Sequence, residues 1–259
     1  MKFDHVISVV TGCINFIKNR DLNNRIFKQV LKDFDADYDD LLYFCAVRWT
    51  SCGNMLGRFH SLLPEIIEFR NLKKCPLTEL EDKNWLCDLG FMVDITKYLN
   101  DLNVQLQGPD QLLHSMFSKI KSFTSMLSLW ENQLKDNDCT HFPTLKKYNP
   151  TSCAQYALEC SSLLESFNAR FQDIKSKQLE LDIFSIPFNV TPASAHSELQ
   201  IELIKLQSDD MLKAMYLNKP LLDFYRVYGS KEEFPNLRAS ALKWSSVFGS
   251  TYQCEQFFL

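Results

Sequence analysis

The sequence has little glycine. Only seven of its 259 residues are Gly, whereas 46% are hydrophobic and 13% are aromatic. So few glycines are atypical of a protein built from many strands and tight turns, and so many aromatic side chains are atypical of a disordered chain. The composition therefore predicts a globular, mainly helical protein with a substantial core.

The chain also lacks an excess of positive charge. It carries 28 basic and 32 acidic residues, for a net charge of −4, so its overall charge gives no reason to expect attraction to a phosphate backbone. A local basic face is one interpretation of five lysines in the middle of the chain, and ordinary solvated helix surfaces are the other. These residues are Lys119, Lys121, Lys135, Lys146 and Lys147.

The nine cysteines show no metal-binding or disulfide pattern. Their number is odd and none forms a CxxC pair or a Cys/His ladder, so their spacing predicts neither a zinc site nor a disulfide framework. Reduced thiols in an intracellular protein fit best. No run of 18 apolar residues occurs, so no membrane span is expected.

Apolar residues recur three and four positions apart along most of the chain, which predicts helices. Two long helices are expected, over Leu80–Leu106 and Gln111–Leu134, packed as an antiparallel pair. The side chains expected to be buried in this pair are Trp85, Leu89, Leu99, Phe117, Phe123 and Trp130. Two segments depart from the helical pattern: Leu41–Val47 is predicted to be a buried strand, and Phe184–Thr191 an extended segment.

Two polar features could be mistaken for metal sites. Five aspartates lie between Asp33 and Asp40, and they fit either a cation site or, as we expect, a solvated loop. His141 has only Asp138 and Cys139 near it in the sequence, so we expect a solvated turn rather than a ligand.

Six phrases carry a family resemblance, and they occur in the order expected for that family. They are VRWTSCGNMLGRF, WLCDLGFMVDITKYLNDLNVQLQG, HFPTL, ELQIELIKLQSDDMLKAMY, FPNLRASALKW and FGSTYQCEQFF. Together they resemble domesticated transposases of the hAT superfamily, especially the transposase-derived part of the general transcription factor II-I repeat-domain group and its BED zinc-finger relatives. The motif residues within these phrases are Arg48, Trp49, Cys254 and Glu255.

The resemblance implies a catalytic site that this chain does not complete. Enzymes of this superfamily hold two divalent cations, usually magnesium, between three carboxylates on a ribonuclease H-like core, and the third carboxylate corresponds to Glu255. The first two would lie on core strands upstream of Met1 and have no counterpart here. We therefore expect Glu255 to be a relic whose side chain either faces solvent or meets Arg48, with no metal and no cofactor bound.

The fold class implied is mainly α: the helical insertion domain of a hAT transposase with an incomplete ribonuclease H-like core. Residues 1–50 would be a core remnant, residues 51–240 the helical insertion, and residues 241–259 the truncated last core helix.

The expected function is that of a catalytically inactive, domesticated transposase-derived protein that acts in transcription regulation by binding another protein or a second copy of itself. DNA contact is expected to be weak or indirect, and membrane contact absent. The expected location is nuclear, or cytoplasmic if no targeting signal is present. The alternatives are an active DNA transposase that takes the missing acids from elsewhere, and a helical scaffold with no nucleic-acid role.

Overall fold

A computed structural model of the chain describes residues 3–43, 49–107, 112–227 and 233–247. Within these ranges the regular structure is helical, and no strand is present. The helices are α1 (Asp4–Lys18), α2 (Asp21–Asp33), α3 (Trp49–Ser61), α4 (Leu63–Leu72), α5 (Lys83–Leu106), α6 (Leu113–Lys135), α7 (Pro143–Lys147), α8 (Ala154–Arg170), α9 (Gln172–Ser176), α10 (Gln178–Ser185), α11 (Ser197–Ser208), α12 (Asp210–Asn218), α13 (Leu221–Val227) and α14 (Pro235–Ser245).

The chain divides into two compact units. Unit 1 contains residues 1–104 and 123–166, and unit 2 contains residues 105–122 and 167–259. None of the described helices is both long and apolar enough to cross a lipid bilayer.

Aromatic side chains build the core of unit 1. The ring of Phe27 in α2 lies edge-on to that of Phe69 in α4, with centroids 5.5 Å apart. Phe91 in α5 stacks on Tyr156 of α8 at 4.7 Å and on Phe142 at 5.3 Å. Such offset and edge-on geometries are the favourable ones for aromatic pairs, and all five rings are almost fully buried.

Helices α5 and α6 pack against each other in antiparallel orientation, as the sequence predicted. Tyr98 of α5 packs against Trp130 of α6 with ring centroids 4.4 Å apart, and Lys119 near the start of α6 donates a 2.6 Å hydrogen bond to the carbonyl of Gln105 near the end of α5. Of the six side chains expected to be buried, five are, and Leu99 is half-buried.

The core of unit 2 lies beneath α10, α11, α13 and α14. Phe224 and Leu203 are fully buried within it, and Phe184 stacks on Tyr225 at 5.4 Å. The Tyr225 hydroxyl donates to the Phe184 carbonyl at 2.8 Å. Burial raises the pKa of this tyrosine well above its usual range, so it stays a neutral hydrogen-bond donor.

The prediction of an extended segment at Phe184–Thr191 was wrong for residues 184, 185 and 187–189. Phe184 and Ser185 end α10, and Pro187–Asn189 form a 3₁₀ turn. The alternating apolar pattern was misleading because Phe184 is buried three residues after Leu181, which is helical spacing. The Gln207 side chain donates to the carbonyls of Pro187 and Val190, both at 2.7 Å, so these carbonyls need no partner strand.

The other predicted strand, Leu41–Val47, is only partly covered. Residues 41–43 carry no regular structure, and residues 44–47 lie outside the described residues. Leu41 is nonetheless buried, and its carbonyl accepts a 2.7 Å hydrogen bond from Lys18.

Candidate functional site

The motif residues of the transposase resemblance lie at the limits of what the structure describes. Arg48, Cys254 and Glu255 fall outside the described residues, and Trp49 is the first residue of α3, with no description of its side chain. The expected proximity of Arg48 and Glu255 therefore stays a prediction.

The aspartate run after α2 connects the helices around it. Asp40 accepts a 3.0 Å hydrogen bond from Lys18 of α1, and Lys28 of α2 lies 3.7 Å from the same oxygen. Asp35 takes up a left-handed conformation with φ of 50°, which aspartate tolerates better than most residues. Among the described residues, no group of three or more His, Cys, Asp or Glu side chains is placed to hold a metal ion.

The five lysines that could have formed a basic face are divided between the two units: Lys119 and Lys121 belong to unit 2, and the others to unit 1. Two of them make local contacts with acceptors, since Lys119 bonds to the Gln105 carbonyl and Lys135 pairs with Glu131 at 2.6 Å.

The phrase HFPTL is bound to α5 by a buried carboxylate that the sequence analysis missed. Asp94, only 5% exposed, accepts hydrogen bonds at one oxygen from the backbone N–H groups of Thr144 and Leu145, at 2.9 and 3.1 Å. Both N–H groups belong to the first turn of α7. Backbone N–H groups in the first turn of a helix have no acceptor within their own helix. Phe142 precedes this turn and has no side-chain acceptor to offer.

The same contact depends on a close approach of two backbones. A side chain at Gly90 of α5 would place its first carbon 3.0 Å from backbone atoms of Leu145, so only glycine lets α7 lie this near. About two turns after Gly90 in α5, the Tyr98 hydroxyl donates to the His141 carbonyl at 2.7 Å. His141 thus lies in a structural junction, and its backbone carbonyl takes part in it.

Unit 2 repeats this arrangement with different residues. Glu202 of α11 is 8% exposed. It accepts from the backbone N–H of Asn236 at 3.1 Å through Oε1 and from that of Leu237 at 2.8 Å through Oε2. The helix that it caps, α14, again begins with Phe-Pro-x-Leu: Phe234 precedes the helix and Pro235 is its first residue.

In both junctions, a carboxylate from a distant helix caps a helix that begins with Phe-Pro. Proline suits the first position of a helix because it has no N–H to satisfy, but the phenylalanine before it cannot cap the next two N–H groups as Ser or Asp would. A carboxylate from another helix takes that role in each unit. The sequence did hold a signal, because FPTL and FPNL match and each lacks its own cap.

Asp88 of α5 joins three helices of unit 1. Its Oδ1 accepts from the Tyr156 hydroxyl and the Gln155 amide, both of α8 and both at 2.8 Å. Its Oδ2 lies 2.9 Å from Nε2 of His5 in α1.

Beside this network opens a cleft of about 610 Å³ in the surface of unit 1. It is lined by His5, Thr78, Glu79, Glu81, Asp82, Asn84, Trp85 and Asp88. Two of its four carboxylates have structural roles: Asp88 bonds to its three partners, and Asp82 accepts from the Trp85 backbone N–H at 2.7 Å. Glu79 and Glu81 lie on the short 3₁₀ turn before α5 and form no ion pair with other described residues. The cleft therefore presents net negative charge.

Trp85 forms part of the wall of this cleft. Its side chain is 6% exposed, and its indole N–H is buried with no hydrogen-bond acceptor among the described residues. A buried indole N–H normally has a partner. The cleft thus presents unpaired negative charge, and the unsatisfied indole N–H of Trp85 lies buried behind its surface.

Comparison with known proteins identifies the family. A family described as the FAM200/GTF2IRD2 helical domain matches residues 1–135. The chain is 38% identical to the cattle (Bos taurus) general transcription factor II-I repeat domain-containing protein 2 over 261 aligned residues, which cover 100% of this chain and 27% of the relative. It is 36% identical to the mouse (Mus musculus) protein of the same name, covering 100% of this chain and 28% of the relative.

The chain thus spans little more than a quarter of the length of these curated relatives. No solved structure gives a significant match. The resemblance that the sequence motifs carried is confirmed: the chain belongs to the FAM200/GTF2IRD2 family of transposase-derived proteins.

Proposed function

We propose that this chain is a catalytically inactive, transposase-derived module that binds another protein in the regulation of transcription, and that the acidic cleft of unit 1 is its binding site. The relatives are named as general transcription factor II-I repeat domain-containing proteins, and this name supports a role in transcription. In the sequence, Glu255 is the one residue that matches the catalytic carboxylates, and one carboxylate cannot offset the charge of two divalent cations.

The cleft is the observation that carries the proposal. Glu79 and Glu81 have no cationic partner among the described residues, so a positively charged occupant would gain attraction without displacing an existing ion pair. A nucleic acid would be repelled by the same charges. The occupant we infer is an extended segment with Lys or Arg side chains.

The test measures binding of a fluorescent octalysine peptide to the purified 259-residue chain at low salt. The variant Glu79→Gln/Glu81→Gln should weaken binding by about 2- to 30-fold, because each exposed or partly exposed ion pair contributes roughly 0.2–1 kcal/mol. The control Asp101→Asn/Glu165→Gln removes the same number of charges from exposed positions elsewhere in unit 1 and should change the affinity little.

Equal losses in the two double variants would show that octalysine responds only to net charge, and the cleft would be excluded as the site. Duplex DNA is titrated in parallel across a salt series. Binding to DNA that is tighter than binding to octalysine and falls steeply with salt would favour direct DNA contact instead.

We also propose a finer reading of the fold and a nuclear location. Residues 51–240 would correspond to the helical insertion of a hAT transposase, and residues 1–50 and 241–259 to remnants of its ribonuclease H-like core. The order of the family phrases in the sequence supports this assignment. An experimental structure of a relative with its complete core would test it, because strands must then flank the helical region.

A further inference from the structure

Two buried thiols face each other in unit 1. The Sγ atoms of Cys139 and Cys153 lie 3.1 Å apart, and the residues are 14 positions apart in the chain. Cys139 follows the turn after α6, and Cys153 directly precedes α8. Both are free thiols.

The backbone around the pair holds the two cysteines in place independently of any bond between them. The side-chain oxygen of Asn137 accepts a 2.8 Å hydrogen bond from the backbone N–H of Cys153, which joins the two ends of the loop. Asn137 itself takes a left-handed conformation with φ of 59°. Asp138 accepts from the backbone N–H of Thr140 at 2.9 Å, so the turn that carries Cys139 is fixed as well.

The pair lies just beneath the surface. Cys139 is 7% exposed and Cys153 is fully buried, but the residues on either side of each cysteine are exposed. Cys139 is therefore the thiol of the pair that a small oxidant reaches first. Burial and the adjacent Cys139 thiol raise the pKa of Cys153 to about 12, so Cys153 is a protonated thiol at neutral pH and reacts second.

We propose that Cys139 and Cys153 form a reversible intramolecular disulfide, which makes this pair a redox modification site that takes a peroxide or a small-molecule disulfide as its oxidant. With hydrogen peroxide, the Cys139 sulfur attacks one oxygen, the O–O bond breaks, the thiol proton passes to the departing hydroxide, and a sulfenic acid and water form. The Cys153 sulfur then attacks the Cys139 sulfur, and the hydroxyl leaves as water with the Cys153 proton. Overall, two thiols and one peroxide give one disulfide and two waters.

The crosslink would close the loop that carries α7. Between the two cysteines lie Phe142, Thr144 and Leu145, the residues through which α7 packs on Phe91, Asp94 and Gly90 of α5. Oxidation removes conformational freedom from this loop in the unfolded chain, and a loop of this length gives a substantial stabilisation. The disulfide would therefore fix the α5–α7 junction, and a thiol reductant would release it.

The experiment oxidises the full 259-residue chain with oxidised glutathione or hydrogen peroxide and maps its disulfides by mass spectrometry without reduction. Trypsin cleaves after Lys135, Lys146 and Lys147, so Cys139 and Cys153 fall on different peptides. Cys153 shares its peptide with Cys160, and the experiment is therefore also run in Cys160→Ala. We expect one crosslinked pair that lacks two hydrogen atoms and is restored to free thiols by dithiothreitol.

The oxidised chain should also melt about 5–10 °C higher than the reduced chain, and this shift should vanish in Cys139→Ala while it persists in the control Cys75→Ala, whose thiol is exposed. If Cys139→Ala fails to fold, Cys153→Ala serves the same purpose, and the peptide map of the native chain stands by itself. A map in which Cys139 pairs with any other cysteine, or in which both thiols stay reduced while Cys75 is oxidised, would overturn the proposal.

Discussion

Removing the Asp94 carboxylate should uncap α7 selectively. In Asp94→Ala the N–H groups of Thr144 and Leu145 lose their shared acceptor. Each buried donor left without a partner costs about 1–3 kcal/mol. Part of that cost is offset, because burial raises the pKa of Asp94, which means that holding the charged carboxylate there is itself unfavourable. We therefore expect a net loss of about 2–4 kcal/mol at this junction.

The assay is amide hydrogen exchange. A loss of this size corresponds to exchange of the Thr144 and Leu145 amides that is faster by about 30- to 700-fold. Asp94→Asn keeps one acceptor oxygen and should show a smaller acceleration. Asp101→Ala removes an exposed carboxylate from the same helix and should show none.

The junction in unit 2 provides a second, independent comparison. Glu202→Ala should accelerate exchange at Asn236 and Leu237, whose N–H groups it caps, while Asp94→Ala should leave these two amides unchanged. If Asp94→Ala and Asp101→Ala gave the same exchange rates at Thr144 and Leu145, the carboxylate would not be the cap and the reasoning would be refuted.

Three further predictions concern stability, measured by urea denaturation. Gly90→Ala should lower the free energy of unfolding by about 1–3 kcal/mol because the added carbon meets the Leu145 backbone at 3.0 Å. A carbon added at Gly57 has no atom within 4 Å, so the control Gly57→Ala should leave the free energy of unfolding unchanged or raise it by up to about 1 kcal/mol. Equal effects of the two substitutions would contradict the close approach of α5 and α7. Phe123→Ala should lower the free energy of unfolding by about 3–5 kcal/mol because this side chain is 1% exposed, and a loss below about 1 kcal/mol would contradict its burial. Because burial raises the pKa of Asp94 above its ordinary 3.8, the folded chain binds that proton more tightly than the unfolded chain. The stability of the native chain relative to Asp94→Asn should therefore fall as the pH rises from 3.8 through the raised pKa and then level off; a relative stability that rises over this range would contradict the assignment.

Local sequence patterns predicted the helices well because the signals that determine them are local. The three/four spacing of apolar residues predicted α5 and α6 close to their observed bounds. The failure within Phe184–Thr191 came from a short apolar segment, where helical and alternating patterns are hard to distinguish.

The junctions could not be predicted in the same way because their partners are far apart in sequence. Asp94 bonds to residues 50 and 51 positions away, and Cys139 meets Cys153 without any recognised motif spacing between them. An aspartate within the apolar run GFMVDITKY was a visible anomaly, yet nothing near it indicated which N–H groups it would cap. Long-range pairings of this kind depend on how the helices pack, and a single sequence does not carry that information directly.

The most direct test of the central claim, that this chain acts by binding and not by DNA chemistry, is a cleavage and strand-transfer assay. The purified chain and its Glu255→Gln variant are incubated with linear and hairpin DNA in the presence of magnesium or manganese. The account predicts no metal-dependent product from either protein, because Glu255 alone cannot assemble a two-cation site. Metal-dependent turnover by the native chain that is lost in Glu255→Gln would contradict it and would show that the chain is an active transposase.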